Sequence, residues 1–235
     1  MYLGVDWYPE QWGMERVEAD LEGICALGCN MVRIGDFAWD RIEPREGEYD
    51  FSFFDAVIQK VKARGLSVLL CVPTATVPRW LALAHPEVMR AREDGTREPY
   101  GGRRGCCLND PKYRERAVAL ARALAAHYKG ETAVKAWQID NEIGHEGSDL
   151  CWCETCHGGF IDYLKDRYAD IQELNDRWGT GFWTQIYDRF EDIPLPRKGD
   201  TPQNPALRLE WARFRPRRAE SWLKALADAV RAEIP

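Results

Sequence analysis

The residues best placed to do chemistry are Asp140-Asn141-Glu142, where the apolar run AVKAWQI of residues 133–139 stops. A short apolar run after a helix-like segment and before a loop is the pattern of a buried strand. Its C-terminal end presents an amide and a carboxylate side by side. In parallel α/β proteins catalysis sits at that end of a strand, because the loops there form an open crevice. Glu142 is the candidate acid. Asn141 could hydrogen-bond a hydroxyl whose charge changes in the transition state. The plainer alternative is a polar strand end that caps the next turn.

A second group lies just downstream. Cys151, Cys153 and Cys156 are spaced C-x-C-x-x-C, and three thiolates so close suit one soft metal. Zinc wants four tetrahedral ligands. Cys107, in the loop after the third expected strand, would neighbour them. Cys106 competes for the role, and His145 and His157 are weaker alternatives. Four thiolates would make a closed, structural site that pins two loops together; the alternative is a set of reduced, unbound thiols. Cys25, Cys29 and Cys71 fall in helix or strand patterns and fit small core residues. Arg33 sits near a strand end, where it could face a cleft or pair with Asp36 or Glu43. Arg103-Arg104, just before Cys107, could hydrogen-bond sugar hydroxyls. Trp183 could stack on a sugar ring or anchor its loop.

The elements that must position these residues alternate. Strands are expected at 2–7, 30–37, 66–73 and 134–140. Helices are expected at 10–28, 50–63, 78–84, 111–128 and 158–168, and a long one at 206–233 that Pro216 should bend. Residues 93–108 form a long polar loop, 145–156 a Cys-rich loop, and 194–205, with four Pro, another loop. Strand and helix alternating four times imply parallel βαβ units with right-handed crossovers. No GxGxxG or P-loop is present, which favours a (β/α)8 barrel over a doubly wound nucleotide fold. Four strands cannot close a barrel that needs eight. The remainder is expected from further chain or from elsewhere, and Ile234-Pro235 stand where a fifth strand would begin.

With 235 residues, the chain could form one domain with a large core. Its net charge of −6 argues against nucleic acid or an anionic membrane as the main partner. No segment has the pattern of a membrane span or a leader, so a cytoplasmic protein is expected. Eight Cys without an export signal favour thiols or metal over disulfides. Ten Trp and nine Tyr suit a carbohydrate cleft as well as a core.

The strings DWYPEQW, NMVRIGDFAWDRIEPREGEYDF, GGRRGCCLNDP, WQIDNEIGHEGSDLCWCETC and GFWTQIYDRFEDIPLPR together resemble the N-terminal half of the catalytic barrel of a glycoside hydrolase family 42 β-galactosidase. The resemblance runs over essentially all 235 residues, with the motifs in order at matching separations. It implies a (β/α)8 TIM barrel, here its first four β/α units, with a Cys-rich metal loop at 145–157. It implies a retaining hydrolase of terminal β-D-galactosides, with Glu142 as acid/base, Asn141 at the neighbouring 2-hydroxyl, Arg103 as substrate-binding arginine and Trp183 as aromatic wall. Cys107, Cys151, Cys153 and Cys156 match the zinc cysteines of some members, with Cys106 in place of the usual Tyr. Members commonly form homotrimers.

A retaining glycosidase needs an acid/base and a nucleophile about 5–5.5 Å apart. The family's nucleophile glutamate stands at the end of the seventh strand, beyond the four expected here, so these residues alone should be inactive or nearly so. Three rivals remain. One is a non-catalytic, zinc-stabilised module that binds sugar or a partner protein. Another is a related retaining glycosidase of different sugar preference. The third is a metal-dependent hydrolase, which four closed thiolates would disfavour.

Overall fold

A computed structural model describes residues 1–199 and 201–234. Asp200, inside the expected Pro-rich loop, and the terminal Pro235 lie outside the described residues. Four strands, β1 (Gly4–Asp6), β2 (Met31–Ile34), β3 (Ser67–Val72) and β4 (Val134–Ile139), form one parallel sheet in the order β1-β2-β3-β4. A parallel sheet whose spatial order equals its chain order needs every crossover to run the same way. Right-handed crossovers then put all the connecting helices on one face. Those helices are α2 (Met14–Ala26), α4 (Ser52–Ala63), α6 (Pro111–Tyr128) and α9 (Pro205–Glu233). The arrangement is an open segment of an α/β barrel, as the alternating pattern implies.

Period-two alternation divides the two faces of the sheet. Val32, Ile34, Val68, Leu70 and Val72 are buried in the main core with Val57, Leu120, Leu124, Trp222 and Leu226 from the helices. Arg33, Leu69 and Cys71 alternate with them and lie outside that core. The helix boundaries follow local chemistry. Asp110 caps α6 by accepting from the Tyr113 N–H at 2.9 Å, with Pro111 following as the first helical residue. Asn204 and Pro205 open α9 in the same way. That helix continues through Pro216.

Between β4 and α9 the chain makes a second core. Helices α7 (Glu154–Arg167) and α8 (Ile171–Trp178) enclose Phe160, Leu164, Leu174 and Trp178, joined by Leu207, Trp211 and Phe214 from the first half of α9. The second half of α9 belongs to the main core, so this one helix ties the two together.

Several expectations are corrected. The helix expected over 10–28 is two helices, α1 (Pro9–Trp12) and α2, parted by Gly13 at φ +89°. An L side chain is strained at that φ, so the turn favours glycine. A short helix, α3 (Trp39–Ile42), was not expected; α5 (Arg79–Ala84) was. The helix expected from 158 begins at Glu154, inside the Cys motif, and α8 after it is ended by Gly179 at φ +61°. Strand β4, read from its composition as buried, is half-exposed along its length, with Lys135 in solvent. The cause is its position: it pairs with β3 on one edge and with no other strand among the described residues.

Helix α1 carries an unusual acid. Both carboxylate oxygens of Glu10 are buried without a hydrogen-bond partner. Desolvation, with the Asp36 charge nearby, raises its pKa from 4.5 to about 7. The folded protein therefore holds a proton that the unfolded chain has released between pH 4.5 and 7, so stability falls as pH rises through this window and levels off above it. Glu10→Gln should remove that loss. Urea titrations should show the variant gaining about 2–3 kcal/mol over the parent on going from pH 5 to pH 8. A parent–variant difference that is the same at both pH values would refute the buried, protonated Glu10.

Candidate active site and metal centre

At the C-terminal ends of β1, β2 and β4 the sheet opens into a cleft of about 440 Å³. Glu142, Asn141 and Arg103 line it, with Arg33, Tyr8 and Gln138. The Arg103 guanidinium pairs with Glu142, Nη1 to Oε2 at 2.9 Å, and the Glu142 side chain is half-exposed. Asn141 is 8% exposed, and its Oδ1 is buried without a hydrogen-bond partner. The acceptor capacity of this amide oxygen is therefore unused within the fold. The structure therefore brings three of the four expected substrate residues together. Trp183 stands apart: it is 66% exposed, lies against Phe182 with ring centroids 4.7 Å apart and planes tilted by 30°, and lines a separate depression beside Trp178 and Pro205.

What holds Glu142 in place is Asp140, two residues earlier in the chain. Asp140 and Glu142 both have left-handed backbones, φ +59° and +44°, each costing about 1–3 kcal/mol unless the surroundings impose it. Asp140 is 2% exposed. Its Oδ1 accepts from Arg104 Nη1 at 2.6 Å and from the Asn141 N–H at 2.7 Å, and its Oδ2 accepts from the Trp222 indole N–H of α9. Arg104, itself at φ +60°, donates its backbone N–H to the Ala75 carbonyl just past β3. Arg103 and Arg104 look equivalent in sequence and are opposite in structure: one faces the cleft, the other is buried as the partner of Asp140. The turn after Glu142 is closed by the His145 N–H to the Glu142 carbonyl and by Gly144 N–H to Ser148 Oγ at 2.9 Å.

Arg33 takes both of the roles foreseen for it. It lines the cleft and pairs with Asp36, and also with Asp6 at 2.6 Å. Gln138 of β4 donates to Asp36 Oδ1 at 2.9 Å and to the Asp140 carbonyl at 3.0 Å. This network across the strand ends was not foreseen, because nothing in the spacing of Asp36, Gln138 and Asp140 marks them as neighbours. Glu43, the other partner considered for Arg33, is instead buried with Arg116 and Trp39.

The Cys-rich loop folds against the loop after β3. Cys107, Cys151, Cys153 and Cys156 bring their sulfurs within 4.8 Å of one another. Cys107 lies 3.7 Å from Cys153 and 3.3 Å from Cys156, sulfur to sulfur. For a metal–sulfur distance of about 2.3 Å, tetrahedral coordination spaces the sulfurs about 3.8 Å apart, so this largely buried cluster could hold a metal ion. Hydrogen bonds among the four thiols push Cys153 and Cys151 below the usual thiol range and Cys107 and Cys156 above it, so the cluster shares its protons unevenly. Of the two adjacent candidates the structure selects Cys107: Cys106 turns its sulfur to Met89 at 3.9 Å. His157 bonds the Ile193 carbonyl instead, and no histidine joins the cluster among the described residues.

The comparisons agree with this geometry. The family model of glycoside hydrolase 42, described as β-galactosidase, matches residues 6–235. The chain is 40% identical over 214 residues to β-galactosidase BgaH of Haloferax lucentense, covering 91% of this chain and 32% of the relative. It is 38% identical over 233 residues to a β-galactosidase of Thermus thermophilus, covering 99% and 36%. The crystal structure of the β-galactosidase from the psychrophilic Marinomonas ef1 superposes with a TM-score of 0.94 at 33% identity, covering 99% of this chain and 36% of that one. The β-galactosidase of the Antarctic haloarchaeon Halorubrum lacusprofundi gives 0.95 at 35% identity, covering 100% and 35%. The chain thus spans about a third of the length of the relatives it matches. From strand order, cleft and sequence alike, it belongs to the glycoside hydrolase family 42 β-galactosidases.

Proposed function

We propose that this chain supplies the acid/base half of a retaining β-galactosidase site acting on terminal, non-reducing β-D-galactose. The observation that carries the proposal is the Arg103–Glu142 pair at the end of β4, beside the unpartnered amide oxygen of the buried Asn141. Glu142 protonates the glycosidic oxygen as the bond breaks and then takes a proton from the attacking water, so one carboxyl serves as acid and then base. Asn141 accepts from the sugar 2-hydroxyl, a contact that strengthens as charge develops at the anomeric carbon. Arg103 gives up its contact with Glu142 to donate to sugar hydroxyls, which leaves the carboxyl free to carry its proton to the bond. Trp183 supplies an aromatic wall to a sugar ring, in a depression apart from this cleft. The nucleophile comes from a strand beyond β4, so the 235 residues alone turn over little or no substrate.

The metal is zinc, held by Cys107, Cys151, Cys153 and Cys156. With four thiolates it has no open position for water or substrate and serves to fasten the Cys-rich loop to the loop that carries Arg103 and Arg104. The reading includes a soluble, cytoplasmic protein that acts as a homotrimer when whole. Among the described residues, no helix is long and apolar enough to cross a membrane.

Two measurements check this reading. Hydrolysis of a chromogenic β-galactoside should be near background for the chain alone. In a form extended through the remaining strands, Glu142→Gln should lower turnover by at least about 100-fold, the lower end of what a positioned acid/base contributes. Turnover that survives this change would remove Glu142 from its role. Metal analysis should find one zinc per chain, lost in Cys107→Ser and kept in Cys106→Ser; the reverse pattern would reassign the fourth ligand.

A further inference from the structure

Arg218, in the middle of α9, takes no part in this mechanism. It is 4% exposed. Its Nη1 donates to the Cys156 sulfur at 2.7 Å and its Nη2 to the Asp149 carbonyl, while its Nε is buried without a partner. The guanidinium lies over the rings of Trp211 and Phe214, 5.4 Å from each centroid. The nearby Asp149 carboxylate is taken by Arg215 at 2.6 Å. Among the described residues Arg218 forms no ion pair with a carboxylate.

A buried arginine cation is costly unless a negative group faces it. Aromatic faces offset part of that cost, and a neutral thiol offsets little. The group facing Arg218 is the sulfur of Cys156, one of four cysteines clustered together. Four thiolates around a divalent ion leave two net negative charges in a buried place, and one guanidinium halves them. Each half of the arrangement, unstable alone, removes the burden of the other.

We propose that Arg218 is the counter-charge of the cysteine cluster and sets how tightly it holds its metal, by neutralising and hydrogen-bonding the Cys156 thiolate. The proposal rests on the zinc reading above and extends it to a residue sixty-two positions beyond Cys156 in sequence. It makes α9 part of the metal centre as well as of both cores.

The test uses the 235-residue chain with zinc bound, at one fixed pH. Zinc affinity is measured by competition with a chromogenic chelator, and the thiolate-to-metal charge-transfer band is recorded after exchange to cobalt(II). Arg218→Met, which keeps the length and removes the charge, should bind zinc about 10–100-fold more weakly and shift the cobalt band. Arg218→Lys, which keeps the charge, should recover most of the affinity. A folded Arg218→Met with parental affinity and an unmoved band overturns the proposal, as does an Arg218→Lys no better than Arg218→Met. If Arg218→Met does not fold, Arg218→Gln replaces it in the comparison: weaker binding than Arg218→Lys supports the counter-charge, and equal binding overturns it. A parent chain that holds no zinc overturns the zinc reading and this proposal together, whereas a parent that binds and variants that match it overturn this proposal alone.

Discussion

The candidate site hangs on one buried ion pair, Arg104 with Asp140. Pairs of this kind add little net stability over a well-packed apolar core, but removing one partner costs about 3–5 kcal/mol because the other is left charged and dry. That asymmetry makes the pair a constraint on geometry. Asp140 must stay where Arg104, Trp222 and the Asn141 N–H converge on it, and this convergence imposes the left-handed backbone on either side of Asn141. Glu142 can then stand half-exposed in the cleft and still be aimed, since its backbone is fixed from below and its side chain only needs to meet Arg103.

The same pair explains why a chain segment with so little regular structure keeps its shape. Residues 89–108 and 140–153 have only isolated bridges and short turns. They are joined at two points about which the rest is arranged: Arg104 to Asp140, and Cys107 to the C-x-C-x-x-C cysteines. Arg90, donating to the carbonyls of Gly147 and Leu150 at 2.7 and 3.0 Å, adds a third. Each attachment closes a long loop, and tying long loops removes much of the freedom of the unfolded chain. Helix α9 then seals both from behind, through Trp222 on Asp140 and Arg218 on Cys156.

Much of this was legible in the sequence, and the misses have physical causes. The strands and the helix 111–128 follow from periodicity, because burial on one face forces it. The Gly13 break hid inside a helical pattern: only the backbone sign at one residue separates one helix from two. The burial of β4 was overestimated because composition reports what a strand can bury, whereas its neighbours decide what it does bury. Composition and spacing could not tell Arg103 from Arg104, since adjacent residues with identical chemistry differ only in which way the chain turns; the family resemblance alone singled out Arg103. The choice of Cys107 over Cys106 was settled by matching motifs rather than by spacing; in the fold, Cys106 bridges Met89 and points its sulfur away. Asp140 was seen only as part of a polar cluster, because its partners are thirty-six residues before it and eighty-two after it.

The nearby acids also bear on where the nucleophile of the proposed retaining mechanism would come from. A nucleophile has to be unencumbered, with a lone pair free to reach the anomeric carbon opposite the acid. Asp6 and Asp36 are both engaged by Arg33, and Asp36 is almost completely buried and bonded to Gln138 as well. Asp140 has both oxygens occupied by Arg104 and Trp222. Glu10 is held protonated up to about pH 7 by its burial, which suits neither a nucleophile nor an ion-pair partner. Asp6, Asp36 and Asp140 are thus each already paired within the fold, and Glu10 is buried. On the proposed retaining mechanism, the group that answers Glu142 would enter from the side of the sheet that these four strands leave open.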